Sequence, residues 1–143
     1  MDNDPFELDR FLVAQAPIYD GVISELTQGR KTGHWMWYIF PQFKGLGHSS
    51  TSVRYSIKSI DEAKAYLQHP ILGLRLKECS EAVLAIEGKS ASEIFGYPDD
   101  LKLKSSMTLF EQAAENDSCF SRILDKYFEG KRDDRTLELL KNS

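Results

Sequence analysis

Gly33-His34-Trp35-Met36-Trp37-Tyr38-Ile39-Phe40-Pro41-Gln42-Phe43 is the stretch on which the fold class turns. It holds both tryptophans of the chain, and between Trp35 and Phe40 it offers almost no polar position. Such a segment is either buried or lines a pocket. Trp, Tyr, Ile and Phe favour strands, yet Trp35 with Ile39 and Met36 with Phe40 fall at the spacing of one helix face. The neighbours decide between the two. Every flanking segment reads as helix, and no strand of comparable length is at hand to pair. The expectation is a buried helix opened by Thr32 as N-cap and closed by Pro41, because the residue before a proline is pushed out of the helical region.

Upstream, Leu8, Phe11, Leu12 and Val13 keep helical spacing, with Asp4 as a cap and Pro5 at the first helical position. Pro17 removes a backbone donor and breaks the helix near Ala16. Ile18, Val22, Ile23 and Leu26 resume the stripe as far as Gly29, which gives two short helices rather than one. Downstream, the glycine and hydroxyl run from Gly45 to Ser52 reads as a loop, with Val53, Arg54, Tyr55 and Ile57 on a short extended piece. Ser59-Ile60-Asp61-Glu62 has the spacing of a capping box and opens a helix to about Gln68. Pro70 then leads a helix whose apolar face runs through Leu72, Leu76, Cys79 and Val83, and Gly88 stops it. Ser90 and Glu93 repeat the box before a short helix closed by Gly96. Asp99 opens a helix reaching Ala114, Phe120 to Phe128 mark another, and Thr136 to Leu140 a last one. The sum is an all-α fold, a single compact domain over residues 1–143 with about six to eight short helices.

Composition narrows the function classes. A chain of 143 residues fits one domain and buries about two thirds of its unfolded surface. The formal net charge of -4 speaks against nucleic-acid or membrane-surface binding, which draws on an excess of Lys and Arg. Cys79 and Cys119 show neither CxxC spacing nor a neighbouring histidine, so they read as core thiols, with no metal site and no disulfide framework. The acidic start Met1-Asp2-Asn3-Asp4 and the lack of an apolar run near 20 residues predict a cytosolic protein without a membrane partner. No cofactor is implied, and composition leaves the oligomeric state open.

Two clusters are candidates for chemistry. The first joins His34, Trp35, Trp37 and Gln42 to the Gly45–Ser52 loop and Arg54. Flat aromatic faces stack on bases, and a guanidinium grips phosphate through two parallel bonds. A loop rich in glycine and hydroxyls lets free amides approach an anion. The second is Asp99 to Thr108, where Lys102, Ser105 and Ser106 share one helix face and would present a cation with two hydroxyls. Glu62 and Asp99 are the carboxylates to consider for acid, base or cation-stabilising work, since each sits at an element boundary beside a cluster. Helix capping explains both more simply, and core packing is the alternative for the tryptophans. No nucleophile and base stand close together in sequence.

The aromatic run, the segment Tyr66-Leu67-Gln68-His69-Pro70-Ile71-Leu72-Gly73-Leu74-Arg75-Leu76, and the long block from Ile94 to Phe110 together resemble a bacterial family of unknown function. It is domain of unknown function eighteen-ten, often labelled calpastatin, and the likeness runs from Phe11 to Leu139. It implies no activity. A fainter similarity in order links the aromatic helix after a histidine, the Pro70-led helix, and Phe95-Gly96 followed by Asp99 to the NADAR family. Those are helical proteins that act on ADP-ribose and related N-glycosides. That family carries an acidic residue before the histidine where this chain has Gly33, so no catalytic role transfers there. The resulting expectation is a domain that binds, and in its stronger form hydrolyses, a phosphorylated N-glycoside. Trp35 or Trp37 would stack on the base, Arg54 and Lys102 would hold phosphate, and Asp99 or Glu62 would face the sugar cation. The alternative is a non-catalytic interaction domain with the aromatic run as core or partner surface.

Overall fold

The computed structural model describes residues 4–115 and 118–143. The reading of the acidic start at Met1-Asp2-Asn3 lies outside them. Ten helices and no strand occur among the described residues, a few more elements than expected, all within an all-α architecture. They are α1 (Asp9–Gln15), α2 (Tyr19–Thr27), α3 (Met36–Ile39), α4 (Ser50–Arg54), α5 (Ile60–Gln68), α6 (Leu72–Ala85), α7 (Ala91–Phe95), α8 (Asp99–Ala113), α9 (Cys119–Tyr127) and α10 (Asp134–Lys141).

Helix α8 is the axis. It packs against α5, α7, α9 and α10, and α6 closes the other side through α2, α5 and α9. Leu103, Met107, Leu109 and Phe110 are buried, and so are Ser105, Ser106 and Thr108. A helix covered on nearly every side has no wet face to spare, so its hydroxyls turn inward. Ser105 Oγ donates to the Leu101 carbonyl and Thr108 Oγ1 to the Lys104 carbonyl. Such bonds to the preceding turn satisfy a buried hydroxyl inside its own helix. The expected solvent face of Lys102, Ser105 and Ser106 is therefore corrected: only Lys102 reaches the surface.

Local chemistry explains most boundaries. Ser90 and Glu93 form the reciprocal box that starts α7. Ser59 accepts from the Glu62 N–H, but the Glu62 carboxylate turns away to the Lys58 N–H and to Arg10. His69 does what Pro70 was expected to do. Its Nδ1 accepts from the N–H groups of Ile71 and Leu72, so α6 starts at Leu72 rather than at the proline. Val53 and Arg54 belong to α4, not to an extended piece, because Ser49 caps a helical turn there. Ile57 alone keeps an extended contact, a parallel bridge with Phe43.

Polar clamps tie the layers. Gln15 Nε2 donates to the Tyr38 carbonyl (2.7 Å) and to the Tyr66 hydroxyl (3.0 Å), while Arg75 reaches Gln15 Oε1. Those bonds join α1, α3, α5 and α6 around Tyr66, whose burial pushes its phenol far above the ordinary range.

Candidate functional site

The site begins at the last turns of α2. Glu25 Oε1 accepts from the Thr32 N–H (2.6 Å), the Gly33 N–H (2.9 Å) and the Trp35 indole N–H (3.0 Å). Burial pushes the Glu25 carboxyl up, but the three donors outweigh it, and the group titrates below the ordinary glutamate range. This bracing explains why the aromatic helix is shorter than predicted. Thr32 and Gly33 direct their amides back to α2, and the helix opens only at Met36 and closes at Ile39. Gly33 is required by contact: a Cβ there would lie 2.8 Å from Trp35 Cδ1 and 3.2 Å from Glu25 Oε2.

Lys31 carries the structure onward to α8. Its Nζ donates to the Gly33 carbonyl, pairs with Asp99 Oδ2 at 2.7 Å, and stands 5.1 Å from the centre of the Trp35 ring. The lysine side chain is only 5% exposed. Asp99 is the first residue of α8, and its other oxygen faces Lys102 Nζ at 3.4 Å one turn on. Lys102 Nζ in turn lies 5.2 Å from the Trp37 ring centre. The result is a continuous line of aromatic ring, ammonium, carboxylate, ammonium and aromatic ring.

Lys102 closes one end of a crevice. Met36, Trp37, Phe40, Gln42 and Phe43 line it together with Gly47, Ser52, Tyr55 and Ser56. Its cavity volume is about 10 Å³, the space one water-sized group needs. The Trp37 indole N–H is buried and has no hydrogen-bond partner among the described residues. A buried donor left without an acceptor carries its full desolvation cost, so a guest oxygen in this crevice would be stabilising.

The residues singled out from sequence divide as follows. Trp37, Gln42 and Lys102 line the crevice, and Asp99 joins it through Lys102. Trp35 is 4% exposed, packed against Phe40 and under Lys31, so it has no face free to stack on a base. His34 is exposed and lies outside the crevice lining. Arg54 is exposed too, its guanidinium against the Tyr55 ring and its Nε donating to the Tyr55 hydroxyl. Ser105 is tied to Leu101, and Ser106, one turn from Lys102, is fully buried with its hydroxyl unpartnered among the described residues. Glu62 is 2% exposed and ion-paired to Arg10 at 2.8 Å. Arg10 also donates to the carbonyls of Arg54 and Ser56, so Glu62 acts on the crevice wall at one remove.

Sequence reasoning passed over Glu25 and Lys31. Glu25 reads as part of the wet face of a helix and Lys31 as part of a polar connection; no local spacing marks either. Among the described residues no group of three or more His, Cys, Asp or Glu side chains is arranged to hold a metal, and no helix is long and apolar enough to cross a membrane.

Comparison with known proteins follows the same geography. No curated protein matches the chain. The conserved hypothetical protein Rv1873 from Mycobacterium tuberculosis is 56% identical, with 96% of this chain and 99% of that one covered and a TM-score of 0.95. The matches do not show the likeness to the NADAR family. The profile described as "Protein of unknown function (DUF1810)" matches residues 5–140. That span takes in the Glu25-braced loop, the aromatic run and the Asp99–Lys102 turn alike, and the chain belongs to the DUF1810 family of proteins of unknown function.

Proposed function

We propose that the Lys102 crevice is a cytosolic binding site for the anionic end of a small phosphorylated N-glycoside, of the nucleotide or ADP-ribose class. The observation that carries the reading is the Trp37 indole N–H, buried without an acceptor among the described residues, on the residue that Lys102 covers. A phosphate oxygen is the acceptor that indole lacks, and the ammonium balances its charge. Met36, Phe40 and Phe43 wall the crevice with apolar surface, where a charge-assisted hydrogen bond is stronger than in water. Gln42 brings an amide that can donate or accept. The cavity admits one oxygen, so the remainder of the ligand lies outside it. The sugar and base class rests on the resemblance to NADAR proteins.

Asp99 is already balanced by Lys31 and Lys102. A carboxylate between two ammoniums aims them well but offers little unbalanced charge to a developing sugar cation. Glu62 is locked to Arg10 and adds no second carboxylate to the crevice. The arrangement thus favours recognition over glycosidic cleavage. The alternative, a protein-interaction domain, has one observation in its favour: Tyr97 and Leu101 at the start of α8 are 80% and 48% exposed.

A thermal-shift titration with ADP-ribose, NAD, AMP and pyrophosphate tests the proposal. A ligand at about 100 times its Kd stabilises by about 2.7 kcal/mol, which is several degrees. The expected result is a rise in Tm for the wild type that is lost in Lys102→Met and reduced in Trp37→Phe. No rise with any of the four at about 5 mM would overturn the reading in favour of the interaction domain.

A further inference from the structure

The crevice is too small to be filled from outside as it stands, and the segment over it is unlike the rest of the molecule. The chain leaves the core at Phe43 and rejoins it at Ile57, where Lys44 N–H donates to the Ile57 carbonyl and Ile57 N–H to the Gln42 carbonyl, both at 2.9 Å. Between these points α4 contributes no buried residue, and its one aliphatic side chain, Val53, is 54% exposed. From Gly45 to Val53 the sequence has no Asp, Glu, Lys or Arg, so no ion pair fastens it. Hydrogen bonds within it include Ser52 N–H to Ser49 Oγ and Val53 N–H to the Ser49 carbonyl, and those that leave it, from Tyr55 N–H to the Thr51 carbonyl and from the Ser56 N–H and Oγ to the Val53 carbonyl, come from its C-terminal end. The half-buried Leu46 and the contact of Gly45 with Leu139 are its apolar anchors.

The two ends of this stretch are held quite differently from its middle. At one end Gly45 adopts φ +97, a conformation that glycine reaches without strain. At the other, the Tyr55 ring packs edge-on against Tyr38 at 4.8 Å and at a tilt against Phe11 at 5.8 Å. Arg10 holds the carbonyls of Arg54 and Ser56, each at 2.9 Å, and is itself fixed by Glu62. Fixed ends with a weakly held span between them are the anatomy of a moving cover.

We propose that Gly45–Val53 is a lid over the Lys102 crevice, hinged at Gly45 and Tyr55, whose Gly47 amide and Ser52 hydroxyl close on the bound anion. Gly47 and Ser52 are the lid residues that line the crevice, and the Gly47 N–H donates to no acceptor among the described residues. Opening costs little because the hydrogen bonds that tie the segment to the body, from the Ser56 N–H and Oγ to the Val53 carbonyl, lie at the Tyr55 hinge. Closing over an anion gains the Gly47 donor and the Ser52 hydroxyl together with Lys102. The closing step rests on the binding reading above; the opening step does not.

Thiol labelling separates the two steps. Met36 lines the crevice and is 1% exposed, while the native Cys79 is fully buried in the core. In Met36→Cys, a lid predicts that the introduced thiol reacts with a disulfide reagent at least about 100-fold faster than Cys79 does. The labelling should also slow when pyrophosphate or ADP-ribose is added. Labelling in step with Cys79 would overturn the lid. Fast labelling that no anion slows would keep the opening and overturn both the closing step and the binding reading. Should Met36→Cys fail to fold, hydrogen exchange of the wild type reads the same motion. The Val53 and Tyr55 amides, bonded within the segment to Ser49 and Thr51, are then expected to exchange far faster than those of α8. Equal protection would refute the lid.

Discussion

Removing the Glu25 carboxylate should cost more than any other single surface-side change near the site. Three donors converge on Oε1, and they differ in what they do once it is gone. Thr32 is exposed, so its amide finds water at little cost. Gly33 is half-buried and the Trp35 side chain is 4% exposed, so these two donors are stranded. An unsatisfied buried donor costs about 1–3 kcal/mol, which for two puts Glu25→Ala at about 2–6 kcal/mol. Against a domain stability of about 5–15 kcal/mol, that is a large share. Glu25→Gln keeps an acceptor and loses only the charge assistance, at about 1 kcal/mol.

The pH dependence supplies the sharper test. The folded pKa of Glu25 lies below its unfolded value, so its contribution is fully present above the ordinary glutamate range and is lost as pH falls through the folded pKa. Wild type and Glu25→Gln should differ in urea midpoint at pH 7 and converge in acid, where the native carboxyl is itself protonated. Tryptophan fluorescence follows the unfolding, and Trp35 reports directly on the lost bond. A cost below about 0.5 kcal/mol for Glu25→Ala, or a Glu25→Gln difference unchanged between pH 7 and acid, would refute the claim that this carboxylate braces the loop.

Three further outcomes follow from the same geometry. Gly73→Ala should leave little folded protein in a soluble-expression assay, because a Cβ there would sit 2.1 Å from the Leu67 carbonyl oxygen, a backbone atom that cannot swing aside. Asp99→Asn should lower stability by about 1–3 kcal/mol in urea, since it strips the nearly buried Lys31 of its carboxylate while leaving the Gly33 carbonyl. Glu111→Gln loosens the paired Arg132 and the bond from Ser121. Hydrogen bonding to Arg132 holds the Glu111 carboxyl below the ordinary range. Its cost, about 1 kcal/mol for a partly exposed pair, should therefore appear at pH 7 and fade as pH falls through that lowered pKa in matched denaturation curves.

What could be read from the sequence follows from the range over which each force acts. Capping is local, so Ser90 with Glu93, and Ser59 for α5, stood where the spacing placed them. Pro17 parted α1 from α2 through its own ring. The aromatic run announced burial and helix, but its length was set elsewhere, by a carboxylate ten residues upstream that no pattern ties to Trp35. The same holds for α6, where the His69 side chain displaced the proline as its starting signal. In α8, the serines looked wet because Ser105 and Ser106 share one helix face with a charged residue, Lys102. Only tertiary packing, which covers the helix from α5, α7, α9 and α10, shows that both serines are buried and that Ser105 must bond back to Leu101 within its own helix.

The candidate site shows the same division in a more consequential form. Aromatic residues advertise themselves, yet Trp35 gives its polar atom to Glu25 and its ring to Lys31. Trp37, two residues on, keeps its indole N–H unspent. The difference arises because Glu25 has fixed the loop before α3, which turns one tryptophan into the core and leaves the other beside Lys102. A half-buried charge on α2 thus decides which of two identical side chains is available to a ligand. The stability of the loop and the chemistry of the crevice should therefore fail together: Glu25→Ala is expected to weaken anion binding through a misplaced Trp37, although Glu25 itself lies outside the crevice lining. Anion affinity unchanged in that variant, measured by calorimetry on protein shown to be folded, would uncouple the two.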